Sequence, residues 1–217
     1  MSGNLFLVFS NPAESIDEGE FNAFQDAHVR ENLVAPGYLT CRRYKLALGS
    51  GNEYPSHFRY VSIYEVAGTR EERSAQTAAL YPDRAHPSWW GDVAISSCGA
   101  ESVAGSVDPT GPDRLFLVFS ATPPQMTFDQ YSDWYHEHLQ QNIAASPLLS
   151  GGWRYHIEGG PKDEKVPDHL ALYALSGPPT EMLAATTAAQ RAGRTSSVEG
   201  FHTLANFDAV ALDARVS

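Results

Sequence analysis

Cysteine is almost missing from this chain: 217 residues carry two, Cys41 and Cys98. Two thiols allow at most one disulfide, and no CxxC pair is present to hold a structural metal. The favoured reading is two reduced thiols in a cytosolic protein. Positive charge is also short. Fifteen Lys and Arg stand against 26 Asp and Glu, and the formal charge of −11 is spread along the chain. Phosphate backbones and anionic membrane surfaces both need clustered cations, so neither nucleic acid nor membrane is an expected partner. No apolar run approaches the length of a membrane span. The opening residues MSGNLFLVFSNPAES lack the basic leader and apolar stretch of a signal peptide, and a cytoplasmic location is expected. Nucleotide and hydrolase signatures are missing too: no GxGxxG, no GxxxxGK[ST] and no GxSxG.

What the chain does have is internal repetition. Hydrophobic residues make up 42% and charged residues 19%, enough for a globular core. The hexamer LFLVFS occurs at 5–10 and again at 115–120, an offset of 110. At that offset Phe21 meets Tyr131, Phe24 meets Trp134, His28 meets His138 and Asn32 meets Asn142. One inserted residue later, Arg43-Tyr44 meets Arg154-Tyr155, and YVSIYEV (60–66) parallels HLALYAL (169–175). The register drifts in loops, where insertions are tolerated.

Each copy carries the same predicted elements. Short apolar runs at 5–10 and 115–120 read as strands buried on both faces. Helices follow over 17–34 and 127–145, the second opened by a capping box between Thr127 and Gln130. Strands at 38–47 and 152–158 lead through the polar loops GSGNEYPS and GGPKDEKVP to strands at 58–66 and 168–175. Helices at 69–81 and 179–192 precede last strands at 93–104 and 203–212. The order β-α-β-β-α-β is the ferredoxin-like unit. The fold class is therefore α+β, with two tandem repeats, 1–105 and 115–217, joined by the Pro/Gly/Asp-rich linker 106–114. LFLVFS does not alternate, so both of its faces need cover: one from the unit's own helices, the other from the sheet of the second repeat. Two sheets facing each other make an α/β barrel, and its interior is the expected ligand cavity.

EFNAFQDAHVRENLVAPGYLTCRRY (20–44) and YSDWYHEHLQQNIAASPLLSGGWRY (131–155) resemble the dimeric α/β-barrel superfamily, specifically its EthD-like proteins. Those carry an aromatic residue and a His on the first helix, then a Pro-Gly-aromatic step into an Arg-Tyr strand; the second copy has lost Pro-Gly. The resemblance implies that a barrel usually built by two subunits is built here within one chain, as a monomer or homodimer. Its members include lactone isomerases, cofactor-free monooxygenases, polyketide cyclases and haem enzymes, so the resemblance does not fix a reaction.

Candidate site residues sit on one helix face. Phe21, Phe24, His28, Asn32 and Ala35 share it in the first copy; Tyr131, Trp134, Tyr135, His138, Asn142 and Ala145 share it in the second. A single His on such a face is commonly a hydrogen-bonded core residue. Here it has aromatic company: Trp134 and Tyr135, and strand positions Tyr60, Ser62, Tyr64 and His169, Ala171, Tyr173, which are expected to face the barrel interior while Val61, Ile63, Leu170 and Leu172 pack under the helices. Arg43 and Arg154 are candidate anchors for a carboxylate or phenolate. Trp89 and Trp90, in HPSWWGD, would lid the cavity or plug the barrel end. HxH at His136 and His138 points its two rings apart on a helix, so no metal site is expected.

These residues predict a small-molecule enzyme without an organic cofactor. It would use His138, with His28 as its counterpart, for proton transfer on an aromatic, lactone or polyketide-like compound, as an isomerase, cyclase, lyase or decarboxylase. Asn142 and Asn32 would orient the imidazoles; Trp134, Tyr135, Tyr64 and Tyr173 would shape the pocket. One cavity weighted to the second repeat is expected. The alternatives are a non-catalytic binding protein for a hydrophobic metabolite, a cofactor-free monooxygenase and a haem enzyme.

Overall fold

In the computed structural model the described residues are 3–48, 58–105, 108–158, 166–212 and 216. The loop GSGNEYPS, most of GGPKDEKVP and linker residues 106–107 lie outside them. The first half runs β1 (Asn4–Pro12), α1 (Glu18–Val34), β2 (Tyr38–Leu48), β3 (Tyr60–Val66), α2 (Arg70–Leu80) and β4 (Val93–Gly105). The second runs β5 (Arg114–Ser120), α3 (Phe128–Ala145), β6 (Leu149–Ile157), β7 (His169–Leu175), α4 (Pro179–Arg191) and β8 (Thr203–Ala211). Local chemistry sets the helix starts. Asp17 accepts from the Glu20 amide, and Thr69–Glu72 and Thr127–Gln130 form reciprocal capping boxes.

The eight strands close into one antiparallel barrel in the order β1-β3-β2-β8-β5-β7-β6-β4. Within each half the order is last–first–third–second, and the halves join where β2 pairs β8 and β4 pairs β6. The expectation of two facing sheets thus becomes a continuous wall with no free edge, which removes the exposed ladder that an open sheet leaves. The described part of the linker is held against β2. Arg42 donates to the Gly111 carbonyl and pairs with Asp113, and the Tyr44 hydroxyl donates to the Pro112 carbonyl at 3.1 Å.

The barrel interior differs from expectation. It is filled, not hollow. Leu5, Leu7 and Phe9 of β1 meet Leu115, Leu117 and Phe119 of β5, with Val61, Ile63, Leu170, Leu172 and Phe207 between them, all 0–1% exposed. The Phe9, Phe119 and Phe207 rings lie 6.0–6.3 Å apart across the centre. The strand phases are therefore the reverse of the sequence expectation: Val61, Ile63, Leu170 and Leu172 point inward, and Tyr60, Ser62, Tyr64, His169, Ala171 and Tyr173 face the helices. Period-two alternation gives two faces without saying which turns to the centre. The interior of an eight-strand barrel is just wide enough for its own side chains to fill, and on β3 and β7 the wholly apolar phase fills it while the hydroxyl-bearing phase goes outside. Cys98 lies in this interior and Cys41 under α1; the two form no disulfide with each other, and burial pushes the Cys98 thiol up to about 12.

Candidate functional site

Open space lies between the outer face of the sheet and the helices, once in each half. The first cavity, of about 500 Å³, is bounded by Phe6 and Val8 of β1, Ser62 and Tyr64 of β3, His28 and Asn32 of α1 and the inner side of α2. It separates the apolar packing of this half into two small clusters, one around Phe21 and Tyr60, the other around Val29 and Tyr64. The second cavity, of about 250 Å³, uses matching positions: Phe116, Val118, His138, Asn142 and Tyr173. The expected single cavity weighted to the second half is therefore replaced by two, the first being the larger.

In the first cavity three arginines converge, none of which the sequence reading singled out. Arg73 is 4% exposed, donates to the carbonyls of Ala67 and Gly68, and lies over the Tyr38 ring. It fits because Gly37, at φ +92°, has no Cβ; one placed there would sit 2.8 Å from the Arg73 Cγ. Arg70 lies at 5.9 Å over the Phe6 ring. Arg84 donates to the Asn32 side-chain oxygen at 2.9 Å, pairs with Glu31 and covers the Tyr81 ring. Its Nη2 is buried without a hydrogen-bond partner among the described residues. The only sequence signal for this group was RxxR at 70–73, which has no counterpart in the second copy and so drops out of any comparison of repeats, and Arg84 in YPDRAHP, a loop arginine that falls on Arg194 at the offset of 110.

His28 presents its Nε2 3.5 Å from Arg84 Nη1 and packs among Phe24, His86 and Trp90. Burial first, then the Arg84 and His86 charges, lowers its pKa to about 4. The imidazole is neutral at pH 7. The Asn32 amide donates not to this imidazole but to the Tyr64 hydroxyl, at 3.1 Å. Trp90 walls the cavity beside His28, whereas Trp89 packs on Phe21 and Phe24 and donates to Glu20.

In the second cavity His138 stacks on Trp134 at 4.7 Å, its Nδ1 3.0 Å from the Ser196 carbonyl, and burial lowers its pKa. Nδ1–H is thus the donor, leaving Nε2 as the lone-pair nitrogen. Asn142 donates to Tyr173, repeating the Asn32–Tyr64 pair at 3.3 Å. Tyr135 lines the same space and carries the Arg154 guanidinium over its ring at 4.7 Å.

The expected anion anchors are occupied elsewhere. Arg43 pairs with Asp26 and donates to Asn22. Arg154, 0% exposed, donates to the Ser132 carbonyl and to His169 Nδ1. Neither lines either cavity. Both strand arginines sit on the helix-facing phase beside hydrogen-bond acceptors, and burial forces them to take those partners.

Among the described residues no three His, Cys, Asp or Glu side chains converge as metal ligands would. Haem, which the resemblance brings into question, needs an imidazole lone pair facing a broad slot and cations for its carboxylates. The first cavity has cations, but its imidazole nitrogen faces Arg84. The second has the required tautomer at His138, but half the volume and, among its described lining residues, no cation. The two requirements are divided between the halves, and the residues do not fit the group. Among the described residues no helix is long and apolar enough to cross a membrane.

No family model matches the chain, and no curated protein matches it. Solved structures do. A protein provisionally assigned as a chlorite dismutase superposes with a TM-score of 0.56 at 10% identity, covering 98% of this chain and 96% of its own. The chlorite dismutase of Candidatus Nitrospira defluvii in complex with imidazole gives 0.57 at 11%, covering 95% and 91%. A protein provisionally assigned as a monooxygenase, from Fusobacterium nucleatum subsp. nucleatum, gives 0.50 at 8%, covering 98% and 94%. These names are oxidative, and they overturn the expected isomerase, cyclase, lyase or decarboxylase. At this level of identity the likeness establishes architecture: the chain has the mixed α+β, eight-strand barrel fold of the chlorite dismutase-like and monooxygenase-like α/β barrels.

Proposed function

We propose that the protein is an oxidoreductase of the monooxygenase type, acting on a phenolic or otherwise acidic aromatic compound in the first cavity. The observation that carries this reading is the His28–Arg84 pair: a neutral imidazole 3.5 Å from a guanidinium that has a buried, unpartnered N–H. A phenolic oxygen set against both gives its proton to His28 Nε2 and its negative charge to Arg84. The bound anion offsets the Arg84 charge and so raises the basicity of His28. Phe6, Tyr64 and Trp90 supply the aromatic walls.

A phenolate is rich enough in electrons to reduce dioxygen. In the net reaction phenol and O2 give a quinone and water. The ring loses four electrons and the C–H proton and gains one oxygen atom; the other oxygen leaves as water with that proton and the phenolic one. No further reductant is required. The test is oxygen uptake by the full chain with naphthols and hydroxybenzoates under heavy-oxygen gas. One heavy atom per product is expected, with kcat reduced roughly 10²- to 10⁴-fold in His28→Ala. Turnover without oxygen uptake defeats the proposal, and tight binding without turnover points to a binding protein instead.

The same reading includes a history: halves 1–105 and 115–217 descend from one EthD-like unit by tandem duplication, in a cytoplasmic protein. The paired Asn–Tyr hydrogen bonds and the matching cavity positions support it.

A further inference from the structure

The two cavities share a frame and differ in charge. At an offset of 109, Arg73 of α2 corresponds to Met182 of α4 and Ser74 to Leu183, while Thr77 corresponds to Thr186. The buried cation of the first cavity is thus a thioether in the second. The loss of Pro36-Gly37 accompanies it, since Gly37 is what admits the arginine. No described residue lining the second cavity carries a charge, and His138 is held neutral by burial. An anion placed there would be buried without a counter-ion.

Among the described residues, the Trp134 indole Nε1 and the Ser196 hydroxyl Oγ nevertheless lie buried on its wall without hydrogen-bond partners. Buried polar atoms ordinarily find partners, and an indole N–H can only donate. The geometry points to a second, separate binding site in this cavity for an uncharged, flat ligand bearing a carbonyl-type acceptor. Trp134 and Ser196 would donate to that acceptor, with Met182 and Phe201 against its apolar body. Occupancy would be independent of the first cavity and of whether that cavity is catalytic, because the two lie on different halves and share no described lining residue.

The experiment uses the full chain labelled with ¹⁵N at tryptophan, titrated with coumarin (neutral, with a lactone carbonyl), naphthalene (neutral, without an acceptor) and benzoate. The Trp134 indole signal, identified by its loss in Trp134→Phe, is expected to shift and saturate with coumarin. Ser196→Ala should weaken coumarin about 2- to 10-fold, the worth of one hydrogen bond, and leave naphthalene unchanged. Arg84→Gln should leave coumarin binding intact, and benzoate should not compete. The proposal fails if the Trp134 signal does not saturate, if benzoate displaces coumarin, or if Ser196→Ala weakens both neutral probes alike. With the Trp134 signal assigned, the wild-type titration decides the matter even if Ser196→Ala or Arg84→Gln does not fold.

Discussion

Asn32 ties Tyr64 to Arg84: its amide nitrogen donates to the tyrosine hydroxyl at 3.1 Å, and its oxygen accepts from the guanidinium at 2.9 Å. One side chain on α1 thereby fixes both a wall of the cavity and its cation. Asn32→Leu keeps the bulk and removes both bonds. We expect benzoate binding, followed by calorimetry, to weaken about 2- to 10-fold, the worth of one hydrogen bond, with the circular dichroism spectrum unchanged.

Gly37 is the second point of leverage. A methyl group there meets Arg73 at 2.8 Å on a backbone at φ +92°, so Gly37→Ala is strained in two ways. Destabilisation of about 1–3 kcal/mol is expected from urea unfolding, together with weaker anion binding as Arg73 is displaced. The paired change Gly37→Ala with Arg73→Ala removes only the side-chain clash and should recover little of the stability and none of the binding, because the backbone at φ +92° and the 3.0 Å approach to the Ala67 carbonyl remain.

Acid should weaken the fold earlier than ordinary carboxylates do. Burial, then nearby cationic groups, lowers His28 to about 4 and His169 to about 3 from the usual 6.5. Between about 6.5 and 4 the unfolded chain takes up protons that the folded chain refuses, so stability falls as pH falls. Each such group adds up to about 1.4 kcal/mol per pH unit to the slope. Urea midpoints at roughly pH 7, 6, 5 and 4 measure it, and His169→Gln should flatten it.

Haem provides a negative test. Because the cations and the suitable imidazole lie in different halves, added haem should give no Soret band at one equivalent per chain. A saturating band that disappears in His138→Ala would restore the haem reading.

Much of the fold was legible because repetition doubled each signal. LFLVFS marked β1 and β5, and Thr127 with Gln130 marked the start of α3 where the structure has it. What escaped was orientation. Tyr64 and Ile63 are adjacent, and alternation alone could not say which would face the barrel centre. The helix stripe led to His28, His138, Asn32 and Asn142, which line the cavities. The arginines escaped for a different reason. Reading by repeats rewards what recurs, and Arg70 and Arg73 belong to one half only, while Arg84 lies in a loop where the register drifts. Arg43 and Arg154 did recur, and what they share is a hydrogen bond to a helix carbonyl, Asn22 in one half and Ser132 in the other.

The three phenylalanines that close the barrel centre carry one last implication. Phe119→Ala, which opens that centre, should cost about 3–5 kcal/mol, for they are the bolt through which the halves hold one another. A filled axle also insulates. A residue that changes on one flank has no empty channel through which to disturb the other, so each flank is free to acquire its own chemical taste. One barrel can in this way carry two chambers with different linings.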